Sequence, residues 1–256
     1  MLARRLIARL DIKPPNLIKT VNLEGVRIVG DPFEYATRYS EVDGLDELIY
    51  IDAVASLYGR NGLLDLVERA TARVFIPITV GGGIGSLADA RKTLLTGADK
   101  VAINSAVVRR PELITEIANA CGSQAMVLQI DAKKTSQGWE AYTDGGREPS
   151  GKDAVAWAQE GVERGAGEIL VTSIDREGTR RGCDIALVAG IASSVRVPVI
   201  ASGGVGGPMD VVSAMAAGAD GCAIAHALHY RTTTMGAIRM AVAAAGFPVR
   251  PIEQAA

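Results

Sequence analysis

Val80-Gly81-Gly82-Gly83-Ile84 decides the fold, because the chain holds a second version of it. Ala201-Ser202-Gly203-Gly204-Val205 follows 121 positions later, and Pro77 and Pro198 precede the two copies at the same offset. That offset also carries Asp46-Glu47-Leu48-Ile49 onto Gly167-Glu168-Ile169-Leu170, Gly97-Ala98-Asp99 onto Gly218-Ala219-Asp220, and Ala102-Ile103 onto Ala223-Ile224. Five matches at one offset indicate a duplicated half-domain of about 120 residues, too long a period for a solenoid.

Outward from these glycines, short apolar strands alternate with longer helical periods. Strands are expected near Leu6–Asp11, Glu47–Asp52, Pro77–Val80, Lys100–Ile103, Ala125–Asp131, Glu168–Ser173, Pro198–Ala201 and Gly221–Ile224. Helical patterns lie between them, as in Pro111–Ala118 and Ala154–Arg164, and Pro111 and Pro208 fit a helix's first turn. Eight strand–helix units, four in each copy, describe a closed (β/α)8 barrel of the α/β class. Two equal halves can close on each other, which argues against an open doubly wound sheet. The reading is one domain over 1–256, with half-barrels near 1–121 and 122–245 and a tail at 246–256. Two strand-to-helix loops are long, Ile12–Asp31 and Ala132–Asp153, and they fall at equivalent places in the two halves. Trp139–Gly146 reads as part of a hairpin in the second.

Composition narrows the function. The 256 residues are 48% hydrophobic but only 4% aromatic, so the core is aliphatic. A net charge of −2 gives no basis for binding nucleic acid or an anionic membrane. Three cysteines without CxxC spacing read as reduced thiols, and two histidines argue against a zinc site. Leu6-Ile7-Ala8 after Arg4-Arg5 is too brief for a signal peptide, and no apolar run approaches a membrane span, so a cytoplasmic location is expected.

In such barrels the active site lies at the C-terminal ends of the strands. Glycines there let backbone approach a ligand, and helix N-termini present free N–H groups to anions. Gly82, Gly83, Asn104 and Ser105 would form one phosphate cradle; Gly203, Gly204, Ala225 and His226 would form its twin. A single Gly pair is more simply a tight turn. Two pairs at one offset point instead to a ligand with a phosphate at each end. Asp11 and Asp131 end equivalent strands, as Leu10-Asp11-Ile12-Lys13 and Ile130-Asp131-Ala132-Lys133. Facing carboxylates can divide acid and base roles, although a lone Asp there could equally cap a helix. Asp52, Asp175 and Glu177 are candidate substrate-hydroxyl contacts, or else loop carboxylates paired with Arg176 or Arg180.

These motifs, with Gly30-Asp31-Pro32, Asp46-Glu47-Leu48, Ala98–Asn104, Gly122-Ser123-Gln124, Gly165–Leu170 and Thr172–Thr179, resemble the cyclase subunit of imidazole glycerol phosphate synthase, the HisF family. The resemblance runs over essentially the whole chain. It implies that Asp11 and Asp131 serve as acid and base. Ammonia then attacks a phosphoribulosyl-formimino-aminoimidazole-carboxamide ribonucleotide, yielding imidazole glycerol phosphate and an aminoimidazole carboxamide ribotide in histidine biosynthesis. It implies no metal or organic cofactor. Lys19, Ser173 and Gly178 join the substrate-binding set. A glutaminase partner is implied at the N-terminal barrel face, giving a heterodimer. A charged ammonia gate there falls on Arg5, Glu47, Lys100 and Glu168. As residues alone, these four also read as salt bridges closing the barrel floor, and one ring can do both.

The chain departs from the family around the site. Strand alternation puts Arg5, Ile7, Arg9 and Asp11 on one face, so Arg9 points inward where the family carries a small cysteine. A buried arginine needs a partner, here Gln129, Asp11 or an anion. Beside Asp11 it lowers that carboxyl's pKa and narrows any path for ammonia. His226 stands where the family has a phosphate-binding serine. Its backbone N–H can still bind phosphate and a protonated ring would help; the plain alternative is an ordinary histidine at a helix start. Thr20 and Val54 also differ, the latter within Asp52-Ala53-Val54-Ala55-Ser56. Arg9, Thr20 and His226 resemble paralogues that amidate cell-surface sugars. A non-catalytic ammonia conduit is a third reading, and the retained aspartates argue against it.

Overall fold

The computed structural model describes residues 2–41, 44–55 and 63–251. Ser56 of the Asp52–Ser56 motif and the tail beyond 251 lie outside them. Eight parallel strands form the barrel: β1 (Arg5–Lys13), β4 (Glu47–Asp52), β5 (Ile78–Gly81), β6 (Lys100–Ile103), β7 (Met126–Thr135), β10 (Glu168–Ser173), β11 (Val199–Ser202) and β12 (Gly221–Ile224). Each pairs with the next, the two halves meet along the β6–β7 and β12–β1 ladders, and the sheet closes on itself.

Both long loops are β-hairpins, and only the second was expected to be. β2 (Asn16–Val21) and β3 (Glu24–Gly30) follow β1; β8 (Gly138–Thr143) and β9 (Glu148–Asp153) follow β7. Here β1 and β7 run past the barrel rim and fold back antiparallel, pairing Asp11 with Ile18 and Asp131 with Tyr142. Each aspartate therefore sits where its strand leaves the barrel and enters a hairpin.

The helices are α1 (Pro32–Glu41), α2 (Leu64–Thr71), α3 (Leu87–Leu95), α4 (Ser105–Arg109), α5 (Glu112–Cys121), α6 (Ala154–Glu163), α7 (Ile185–Ser194), α8 (Pro208–Ala216), α9 (His226–His229) and α10 (Met235–Ala244). Local chemistry starts several of them. The side chains of Ser86, Asp153, Asp184 and Thr234 accept from first-turn N–H groups, satisfying donors that a helix leaves free. Pro208 opens α8 at the position that lacks an N–H partner anyway. No helix among the described residues is long and apolar enough to cross a membrane.

Strand alternation divides the core. Outward side chains such as Leu6, Leu48, Leu128 and Ile169 pack under the helices. Inward ones, Ile7, Ile49, Ile51, Ala102, Val127, Leu170, Ile200 and Ala223, fill the lumen as a separate aliphatic plug. Because this plug closes around the barrel axis, it cannot collapse freely onto a void. Leu170→Ala is predicted to cost about 3 kcal/mol of unfolding free energy in a urea titration, and a loss under about 1 kcal/mol would contradict lumen packing.

Candidate active site

The strand pleat orders the lumen into levels. At the N-terminal floor, Arg5, Glu47, Lys100 and Glu168 are each the first residue of a strand. They form a closed ring. Arg5 Nη1 meets Glu47 at 2.9 Å and Nη2 meets Glu168, while Lys100 Nζ reaches Glu47 at 3.1 Å and Glu168 at 2.9 Å. Each carboxylate bridges both cations, so no charge in the ring lacks a counterpart. Above the ring lies the aliphatic plug, and above that a polar level of Arg9, Gln129, Thr172 and Ser202.

Arg9 is 2% exposed. Its Nε donates to Asp11 Oδ1 at 2.9 Å, and its Nη1 donates to Thr172 Oγ1 at 2.8 Å and Ser202 Oγ at 3.1 Å. Gln129 does not serve Arg9, although the sequence left that open. Its amide donates to both Asp131 oxygens at 3.3 Å, because Gln129 and Asp131 share one face of β7 just as Arg9 and Asp11 share one of β1.

The two aspartates are equally buried, at 3% exposed, yet differ in charge environment. Burial alone would push the Asp11 carboxyl up, but the Arg9 guanidinium and then Lys19 bring it below its ordinary value. Among the described residues, Asp11 Oδ2 is buried with no hydrogen-bond partner. Burial also pushes the Asp131 carboxyl up. There the more distant Arg9 and the neutral donors Gln129 and Asn104 do not reverse it.

A cavity of about 390 Å³ joins Asp11 and Asp131 to Asp52, Gly82, Gly83, Asn104 and Ser105. Gly82 has φ 92° and presses against the Asp52 backbone, where any Cβ would collide. The second cradle is a tight pocket of about 10 Å³ lined by Lys19, Glu177, Gly178, Gly203, Gly204, Ala225 and His226. Gly203 repeats the first cradle's conformation with φ 95°.

Several site side chains have partners that the sequence did not specify. Glu177 pairs with Lys19, not with Arg176 or Arg180, because the β2–β3 hairpin lays Lys19 over it. Asp175 is exposed and accepts from Lys134 N at 2.8 Å, fastening a hairpin rather than lining either cavity. Ser173 is buried at the end of β10 outside both cavities. Asn104 spends its amide on Asp131 at 3.0 Å and on Tyr142 O at 2.9 Å. Ser105 Oγ accepts from Asp144 N. Burial, then Arg180 and Lys19, lower the His226 pKa, so its ring is neutral at neutral pH and contributes no cation. Arg109 and Arg147 also line the main cavity, and no motif or period in the sequence marks them.

A model of the histidine biosynthesis protein family matches residues 5–234. The imidazole glycerol phosphate synthase subunit HisF of Pyrococcus furiosus is 47% identical over 250 residues, covering 98% of this chain and 99% of that one. The chain belongs to the HisF family. The HisF of Solibacter usitatus is 48% identical over 252 residues (98% of this chain, 99% of that one). The HisF of Legionella pneumophila is 61% identical over 203 residues, 79% of this chain and 95% of that one. Arg9 lines the main cavity and His226 the second cradle.

The opposed environments of the aspartates predict opposed stability effects. Asp131 has a folded pKa above its unfolded one, so its contribution is fully present only below the unfolded value and is lost as pH rises through the folded one. Asp131→Asn should therefore raise Tm at pH 7 by about 2–4 °C, with the gain shrinking at acidic pH. Asp11 is depressed, so its stabilisation is present above the unfolded value and lost as pH falls through the folded one. Asp11→Ala, which strands Arg9, should cost about 3–5 kcal/mol at pH 7. Equal effects in thermal scans of the two variants would contradict the assignment.

Proposed function

We propose that the chain carries out the ammonia-dependent lyase and cyclase step of histidine biosynthesis, with Asp11 and Asp131 as its acid–base pair. The observation that carries this reading is one cavity holding two buried carboxyls of opposite bias, flanked by two glycine cradles. A bisphosphorylated substrate, the phosphoribulosyl-formimino-aminoimidazole-carboxamide ribonucleotide, has an anion at each end for the cradles and its reacting centre between the aspartates. Asp11, held as a carboxylate, takes the proton that the attacking nitrogen sheds. Asp131, held toward its protonated form, gives one to the departing oxygen or nitrogen. Ammonia closes the imidazole ring of imidazole glycerol phosphate and releases the carboxamide ribotide. The sugar-amidating reading rests on Arg9, Thr20 and His226, whereas the matched relatives carry the synthase's name.

The word subunit in those names supports a second chain, which we assign to a glutaminase supplying ammonia at the N-terminal barrel face. Leu2, Phe75 and Leu95 are 91%, 88% and 89% exposed at that end of β1, β5 and α3, around the ring of Arg5, Glu47, Lys100 and Glu168. The ring is then the gate through which ammonia enters the lumen.

With ammonium salt and the bisphosphate substrate, the purified chain should form imidazole glycerol phosphate. Asp11→Asn and Asp131→Asn should each lower kcat at least about a hundredfold while folding is retained. Near-normal turnover in either variant would remove that residue from the mechanism. Phe75→Glu should weaken glutaminase binding by about tenfold or more and leave ammonium-dependent turnover unchanged. Undiminished binding would move the docking face elsewhere.

A further inference from the structure

Arg9 stands where the lumen meets the acid pair, and its guanidinium is only partly spent. A guanidinium has five N–H donors in one rigid plane. The bonds to Asp11, Thr172 and Ser202 use Nε and Nη1. Among the described residues no protein oxygen accepts from Nη2, and Nη2 is not one of the buried polar atoms left without a partner. It therefore reaches open space, and Arg9 lines the main cavity beside Asp11, Gln129 and Asp131. Three bonds fix the plane of this cation and leave Nη2 open in the cavity that both carboxyls line. A preorganised donor held in place by the fold is what a developing oxyanion needs.

We propose that Arg9 is a catalytic residue whose Nη2 binds the ketone oxygen of the ribulosyl chain and stabilises the oxyanion formed when ammonia adds; this rests on the cyclase reading above. The ribulosyl unit is a ketose, so it carries that carbonyl. The nitrogen lone pair forms the new C–N bond, and the carbonyl π pair moves onto oxygen. The nitrogen's surplus proton passes to the Asp11 carboxylate, and Asp131 supplies a proton to the oxygen. A carbinolamine results, and Arg9, which keeps its charge throughout, exchanges no proton.

Ammonium-dependent turnover of the full chain tests this with Arg9→Met, Arg9→Lys and Arg9→Ala. Arg9→Met should lower kcat about 10²–10³-fold, with KM for the bisphosphate moved less than about threefold. Arg9→Lys should recover part of the loss, and added guanidinium ion should restore part of the rate to Arg9→Ala. The loss in Arg9→Met should persist as pH is raised. A loss that disappears at higher pH would mean that Arg9 acts only by keeping Asp11 ionised, which overturns the proposal. Turnover equal to or above wild type in Arg9→Met would make Arg9 an obstruction in the lumen and overturn it too. A wild-type chain that folds but gives no product would overturn the cyclase reading and this step with it, a failure distinct from the other two.

Discussion

The pleat of a strand in a closed barrel is the constraint on which everything along the axis depends. Successive side chains alternate between lumen and helix layer, so Arg5, Ile7, Arg9 and Asp11 must share the interior once any one of them does. That single strand supplies a member of the charged floor, a piece of the aliphatic plug, the cation beside the acid pair, and half of the pair itself. β7 supplies a plug residue, a polar residue and the other aspartate on the opposite side, with Val127, Gln129 and Asp131. A closed sheet leaves these residues no other place to go, so their chemistry has to be compatible level by level.

The two halves of the barrel are alike in backbone and unlike in charge. Each aspartate sits at the root of a hairpin and two residues beyond an inward polar side chain. The difference is that one half carries Arg9 and the other Gln129. A guanidinium holds its neighbour ionised, while an amide orients its neighbour without a full charge, so burial prevails at Asp131. Two equivalent carboxyls compete for the same proton state. Here the exchange of Arg9 for Gln129, with Lys19 added beside Asp11, divides the roles.

The barrel and both aspartates were legible because they follow from periodicity and from the repeat. The inward direction of Arg9 followed from alternation alone, and its pairing with Asp11 followed from proximity on one strand. What the sequence did not carry was pairing between distant segments. Lys19 and Glu177 lie 158 positions apart, and only the first hairpin brings them together. Asn104 lines the first cradle's cavity, and its amide also orients Asp131 across the β6–β7 boundary. Asp175 follows a strand, and one of its carboxylate oxygens accepts from a backbone N–H of the second hairpin, a contact local pattern does not show. Local pattern places a residue at the rim, and only the packed hairpins decide what its side chain meets there.

The central claim is that the two carboxyls rest in opposite protonation bias. It is tested most directly by carbon-13 NMR titration of side-chain-labelled aspartates, with Asp11→Asn and Asp131→Asn used to assign the two resonances. The account predicts that the Asp131 carboxyl titrates above the ordinary aspartate value of about 3.9 and Asp11 below it. Coincident titration, or the reverse order, would contradict it.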